Sequence, residues 1–177
     1  MKFRSLFESH ELYCAVHLIE AAVAHFKSTV EIWLIEVSNK LVHCINEAFG
    51  PEDNKIKGAD SHQEIELALI RLYEVTDDAT CLTLSEWFLE IKGQDTEFYQ
   101  EQLIENKALG LDDRQRMPFE LVYLQAHKPV LEQEEAVGHA VRLVYMAAAV
   151  AEVAHIRNDQ KLFQAAKRLW DDIVKNR

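Results

Sequence analysis

Three histidines carry the most chemistry in this sequence. His10, His62 and His139 each fall near the start of a stretch with helical hydrophobic periodicity. If the helices they introduce pack side by side around an axis, the same ends face one mouth. The three imidazoles then converge on a common cavity. A neutral imidazole both donates and accepts hydrogen bonds, so such a ring suits sugar hydroxyls and also a metal. Histidines at helix starts also serve simply as caps or face solvent, and spacing alone does not choose between these readings. His17, His25, His43, His127 and His155 stand in no HxxxH or CxxC…H frame. His10 and Cys14 are one helical turn apart and could share a metal, but two ligands do not make a zinc site. Packing accounts better for Cys14.

The carboxylates offer no acid and base pair of the kind glycoside hydrolysis uses. Glu64 and Glu66 are two residues apart, about 200° around a helix, and so point away from each other. Ser61 followed by Glu64 reads as a capping box, and Glu66 as a wall or salt-bridge residue. Glu132, Glu134 and Glu135 read as the first turn of a long helix, where negative charge is stabilising by itself. No Gly-rich phosphate loop or GxSxG elbow is present.

The elements that must position these groups are helices, mostly in pairs. Leu12, Val16, Ile19, Val23 and Phe26 form one apolar stripe, and Trp33, Val37, Leu41 and Ile45 form a second after a break near Ser28-Thr29. Phe49-Gly50-Pro51 closes that pair, with Gly50 suited to a left-handed C-terminal position. After a polar loop from Glu52 to Asp60, the stripe of Ile65, Leu69, Leu72 and Tyr73 marks a third helix. Leu82, Trp87 and Leu89 mark a fourth, ending near Gly93. One helix is expected around Phe98 to Lys107, followed by loop punctuated by Pro118 and Pro129. Two more are expected over Leu131 to His155 and Asp159 to Val174. The result is three helical hairpins with an insertion before the last. The histidines are spaced too unevenly for a tetratricopeptide or HEAT array.

Composition agrees with this reading. Of 177 residues only 5 are Gly and 3 Pro, which leaves little turn chemistry for a β-sandwich or barrel. A net charge of −11 opposes nucleic-acid binding. The most apolar run, Val141 to Ala154, contains Arg142 and Glu152 and is too short to span a bilayer. Cys14, Cys44 and Cys81 are an odd set without CxxC spacing and read as thiols in a reducing compartment. The start of the chain shows no secretory h-region, and the cytoplasm is the expected location.

The blocks "SHELYCAVHLIEAAVAH", "HQEIELALIRLYEVTDD", "HKPVLEQEEAVGHAVRLVYMAAAVAEVA" and "LFQAAKRLWDDIVKNR" resemble successive blocks of glycoside hydrolase family 127, the bacterial β-L-arabinofuranosidases. The resemblance runs from about Ser9 to the end, and HELY, HQEIELAL and EAVGHAVR are together specific. It implies an all-α fold in which residues 1–177 form one partial (α/α)6-barrel domain. The family removes terminal β-L-arabinofuranosyl residues with retention, using a zinc-bound cysteine as nucleophile and a glutamate as acid/base. Its sugar-contacting histidines map onto His10, His62 and His139.

In the family, the acid/base glutamate, the zinc ligands and the nucleophilic cysteine follow the block equivalent to Leu169–Val174. The expectation is therefore a catalytic-domain fragment that carries no catalytic residue and no zinc, and is inactive alone. Cys14, Cys44 and Cys81 do not inherit the nucleophile's role. Val16, Ser61 and Leu131 depart from the residues usual in the family. An arabinose-containing saccharide is the expected ligand, with self-association through exposed barrel edges and neither nucleic acid nor membrane as partner. The alternative is a non-catalytic helical carbohydrate-binding or scaffold protein.

Overall fold

The computed structural model describes residues 2–111 and 120–176. Among them are seven α-helices: α1 Glu11–Thr29, α2 Trp33–Ala48, α3 Ile65–Thr76, α4 Ala79–Ile91, α5 Phe98–Ala108, α6 Ala140–Arg157 and α7 Gln160–Asn176. Two short 3-10 turns, Leu121–Leu124 and Val130–Glu132, lie in the segment before α6. No helix among the described residues is long and apolar enough to cross a membrane.

The three hairpins are α1–α2, α3–α4 and α6–α7, and their first helices lie side by side in the order α1, α3, α6. Each hairpin turn passes through a non-glycine residue in the left-handed region: Val30, Asp77 and Asn158. Asn and Asp tolerate that conformation, whereas the β-branched Val30 does so at a steric cost. Asp78 caps α4 by accepting from the Thr80 amide at 2.9 Å. Asp159 accepts from the amides of Lys161 and Leu162 at the start of α7.

α3 is the central element, buried along every residue from Ile65 to Ile70. Leu69 and Leu72 join one core with Leu12, Val16, Ile19, Ile45 and Phe88. Leu67 and Ile70 join a second core with Met146, Val150, Val153 and Leu169. Burying such side chains contributes about 1.5–3 kcal/mol each, so α3 is the seam that ties the hairpins together. Edge-to-face pairs Phe3–Phe49 at 5.1 Å and Phe49–Phe88 at 5.2 Å close the first core from outside.

Four expectations are corrected. Ser61 does not cap α3: that helix begins at Ile65 after Glu64, without a side-chain cap, and the Ser61 hydroxyl donates to Phe7 O at 2.9 Å. α2 ends on extended Phe49, and Gly50 lies beyond it at φ 154°, outside the left-handed helical well. α6 begins at Ala140 instead of Leu131, so Glu132, Glu134 and Glu135 do not open it. The backbone there turns through Gly138 at φ 84°, and Gln133 is tied to Gln125 O and Lys128 O, which holds the segment as loop. The buried face of α2 is Ile35, Ser38, Val42 and Ile45, and Trp33 and Val37 are exposed. Pro118 lies outside the described residues.

Candidate functional site at the mouth of the hairpins

The starts of α1, α3 and α6 meet at one end of the molecule. His10 immediately precedes α1, and its ring lies 4.7 Å from that of His62, in the turn before α3. Tyr13, one turn into α1, stands edge-on to His10 and His62 at 5.5 Å each and to His17 at 4.6 Å. His139 immediately precedes α6, with its ring edge-on to Tyr123 at 5.4 Å. Arg142, one turn into α6, lies over the Tyr123 ring at 5.4 Å and places Nη2 3.0 Å from His62 Nε2. His10 and His62 are thus in direct contact, while His139 joins them through Tyr123 and Arg142.

The turn that carries His62 is built on buried polar contacts. Lys92, at the end of α4, donates from Nζ to Asp60 O at 2.7 Å and to the Tyr99 hydroxyl at 3.0 Å. Tyr99, from α5, donates in turn to Ala59 O at 2.9 Å. The Ser61 amide donates to Leu6 O at 3.0 Å, tying the turn to the segment that enters α1. Opposite, Gln63 Nε2 donates to Leu124 O, and Gln125 Nε2 donates to Val137 O at 2.8 Å. The His139 amide donates to Tyr123 O at 3.2 Å. Gly138 allows this approach: a β-carbon there would sit 2.2 Å from Val122 O.

Beneath the histidines lies a charged floor. Asp60, Glu66 and Lys92 are each 2% exposed. Burial pushes the Glu66 carboxyl up to about 7, opposed by the nearby Lys92 ammonium. Burial pulls the Lys92 ammonium down to about 8, opposed by Glu66 and Asp60. Burial likewise raises the Glu64 carboxyl and lifts the Tyr99 phenol well above its usual range. These are the responses expected of charge taken out of water. Neither Asp60 carboxylate oxygen has a hydrogen-bond partner; Oδ1 stands 3.7 Å from His62 Nδ1.

The arrangement offers imidazole, phenol and guanidinium groups on a rigid polar base, a lining suited to hydroxyl-rich ligands whose C–H faces pack on rings. Among the described residues, no three of His, Cys, Asp and Glu come together in a way that could hold a metal ion. The cysteines are free and differently placed, Cys14 exposed, Cys44 half-buried and Cys81 buried. Burial pushes the Cys81 thiol up to about 12, the opposite of activation. The described residues do not fit zinc.

Tyr13, Tyr99, Tyr123, Arg142 and Lys92 are site groups that sequence reasoning missed. Arg142 had a usable signal, since it follows His139 by three residues and shares its helix face. Tyr123 lies in irregular backbone, and nothing local marks Lys92 as buried.

The sequence matches the family profile of the β-L-arabinofuranosidase, GH127 catalytic domain, over residues 2–177. It is similar to the non-reducing end β-L-arabinofuranosidase of Bifidobacterium longum subsp. longum, with 43% identity over 178 residues, 99% of this chain and 27% of that protein. The fold is similar to that of a GH127 β-L-arabinofuranosidase from Geobacillus stearothermophilus T6, with TM-score 0.90 and 41% identity over 98% of this chain and 27% of that one. A second solved GH127 β-arabinofuranosidase aligns with TM-score 0.78 and 35% identity, covering 96% of this chain and 23% of its own. The chain therefore spans about a quarter of the length of these relatives. Its three hairpins are part of an (α/α)6 barrel.

Proposed function

The chain belongs to the GH127 β-L-arabinofuranosidase catalytic-domain family, and from that membership we propose that it supplies the sugar-holding wall of the family's active-site funnel. His10, His62 and His139 are the sugar-contacting histidines. The observation that carries this reading is the ring contact between His10 and His62 at 4.7 Å, made by residues 52 positions apart that the fold brings to one mouth. Tyr13, Tyr123 and Arg142 complete the same wall.

The wall binds and orients a terminal arabinofuranosyl unit. Its imidazoles exchange hydrogen bonds with ring hydroxyls, and its aromatic edges cover the C–H face. No acid and base pair is assigned within this stretch, so this polypeptide by itself hydrolyses no arabinofuranoside. A cytoplasmic setting fits its three unpaired thiols.

Titration with methyl β-L-arabinofuranoside, alongside His10→Ala, His62→Ala and His139→Ala, tests the binding. Saturable binding weakened by each substitution is the expected result. Binding insensitive to all three would remove the histidines from the site. Zinc-dependent turnover of a chromogenic β-L-arabinofuranoside by this polypeptide would overturn the claim that it acts by binding alone.

A further inference from the structure

The row of three hairpins has two lateral ends, and each leaves large apolar side chains in water. One end is the side of α1 that faces away from α3. Glu20 and Lys27 of α1 pair with Arg71 and Glu74 of α3. His25 lies about 160° around the same helix from Lys27, and its ring meets Trp33 of α2 at 5.5 Å. Trp33 is 54% exposed, and Ile32 and Val37 beside it are exposed as well. The other end is the outer side of the α6–α7 hairpin. There Phe163, Trp170 and Val174 form one exposed stripe at helical spacing, next to Ala147, Ala148 and Ala151 of α6.

Two features say what covers these ends. The first is area. The large apolar side chains of both ends together leave on the order of 700 Å² in water, close to the roughly 800 Å² that a stable interface buries on each partner. Neither end reaches that size by itself. The second is closure. A contact between unlike ends either closes into a ring or runs on as an open chain. Three hairpins of a six-hairpin barrel turn through half a circle, so two copies close.

We propose that two copies of this chain join end to end, the α6–α7 flank of each against the α1–α2 end of the other, and complete a six-hairpin ring about a two-fold axis. The axis runs along the ring, so the starts of α1, α3 and α6 in both copies open at the same face. Each copy then supplies one wall of the mouth and meets the other's wall across it. The inference rests on the hairpin geometry and is independent of the saccharide reading.

Sedimentation equilibrium on this polypeptide tests it. The expected mass is twice that of one chain, with no larger species as concentration rises. Trp33→Asp and Trp170→Asp should each raise the dimer dissociation constant roughly 100-fold or more, because each places a charge in both contacts of the ring. Both rings are more than half in water in a single copy, so the helical circular dichroism signal should stay unchanged. An equimolar mixture of the two variants should recover dimer, since the mixed pair keeps one contact in which both faces are native. A misfolded variant could not complement in this way. If Trp170→Asp lowered the mass and Trp33→Asp did not, the pairing would be flank to flank and the ring would be overturned. A monomeric wild type, an open series of larger species or a mixture that stays monomeric would overturn it too. A closed dimer that binds no saccharide would uphold the ring and remove the sugar reading.

Discussion

The mouth of the hairpins and the flank of the last hairpin are built on opposite principles. At the mouth, directional hydrogen bonds from Lys92, Tyr99 and Arg142 hold the turn from Asp60 to His62 above the buried Asp60, Glu66 and Lys92. On the flank, Val144, Ala147, Ala148 and Ala151 of α6 face Phe163, Ala166 and Trp170 of α7 across a groove of about 580 Å³. Trp170 is 63% exposed there. Small residues on one side and large aromatics on the other make a surface that a further helix can enter closely. An ion-paired ridge of Lys167, Asp171 and Lys175 runs beside it. The contrast separates fixed polar geometry, which is concentrated at the mouth, from exposed apolar area, which is concentrated on the flank.

Removing the centre of the floor should break this contrast most severely. Lys92→Ala strips a buried amine from Asp60 O and Tyr99 and leaves the Glu66 and Asp60 charges without their cation. A loss of about 3–5 kcal/mol is expected in chemical denaturation. Lys92→Met, which keeps the volume but not the charge, should behave similarly at high pH and recover part of the loss at pH 5, where Glu66 is protonated.

Gly138→Ala comes next. It would force a side chain into a left-handed backbone position and against Val122 O, costing about 1–3 kcal/mol. Binding should fall with it, because His139 is the neighbouring residue.

Glu66 gives a smaller effect with a definite sign. Burial holds this carboxyl at about 7 in the folded protein, above its ordinary value of 4.5, so the folded state holds the extra proton between those values. Stability should therefore decline as pH rises from about 5 to 7.5, by roughly 2–3 kcal/mol. Glu66→Gln should flatten that decline in pH-dependent denaturation. An equally steep decline in the variant would show that Asp60, Glu64 or the histidines are responsible.

The flank should respond least. Trp170→Ser is expected to change stability by no more than about 0.5 kcal/mol, since the ring is mostly in water. We propose that this face drives self-association, so the same substitution should lower the weight-average mass in sedimentation. An unchanged mass would remove the flank as the contact.

The all-helical hairpin order was legible in the sequence because the apolar stripes of α1 and α3 have clear periods. Boundaries failed where side chains found partners other than the nearest backbone. Ser61 looks like a cap from its spacing to Glu64, yet its hydroxyl goes to Phe7, which only the folded chain brings near. The start of α6 was misplaced because Glu132 to Val137 has helical composition, while Gln133 and Gly138 commit it to a loop through contacts with residues 122–128. At the site, the histidines could be picked out by their repeated position before helices. Lys92 could not, because a lysine at a helix end is normally solvated and only α5 and the turn before α3 bury it.

That same lysine has a consequence for motion. One amine joins the end of α4 to the turn before α3 and to α5, so these pieces cannot open independently. Amide exchange should show Ala59 to Ser61 and the Tyr99 segment opening as one unit, with a common protection free energy. Release of that unit would free the His62 turn while the hairpin cores stay closed. Readiness to bind would then be lost well before the fold itself.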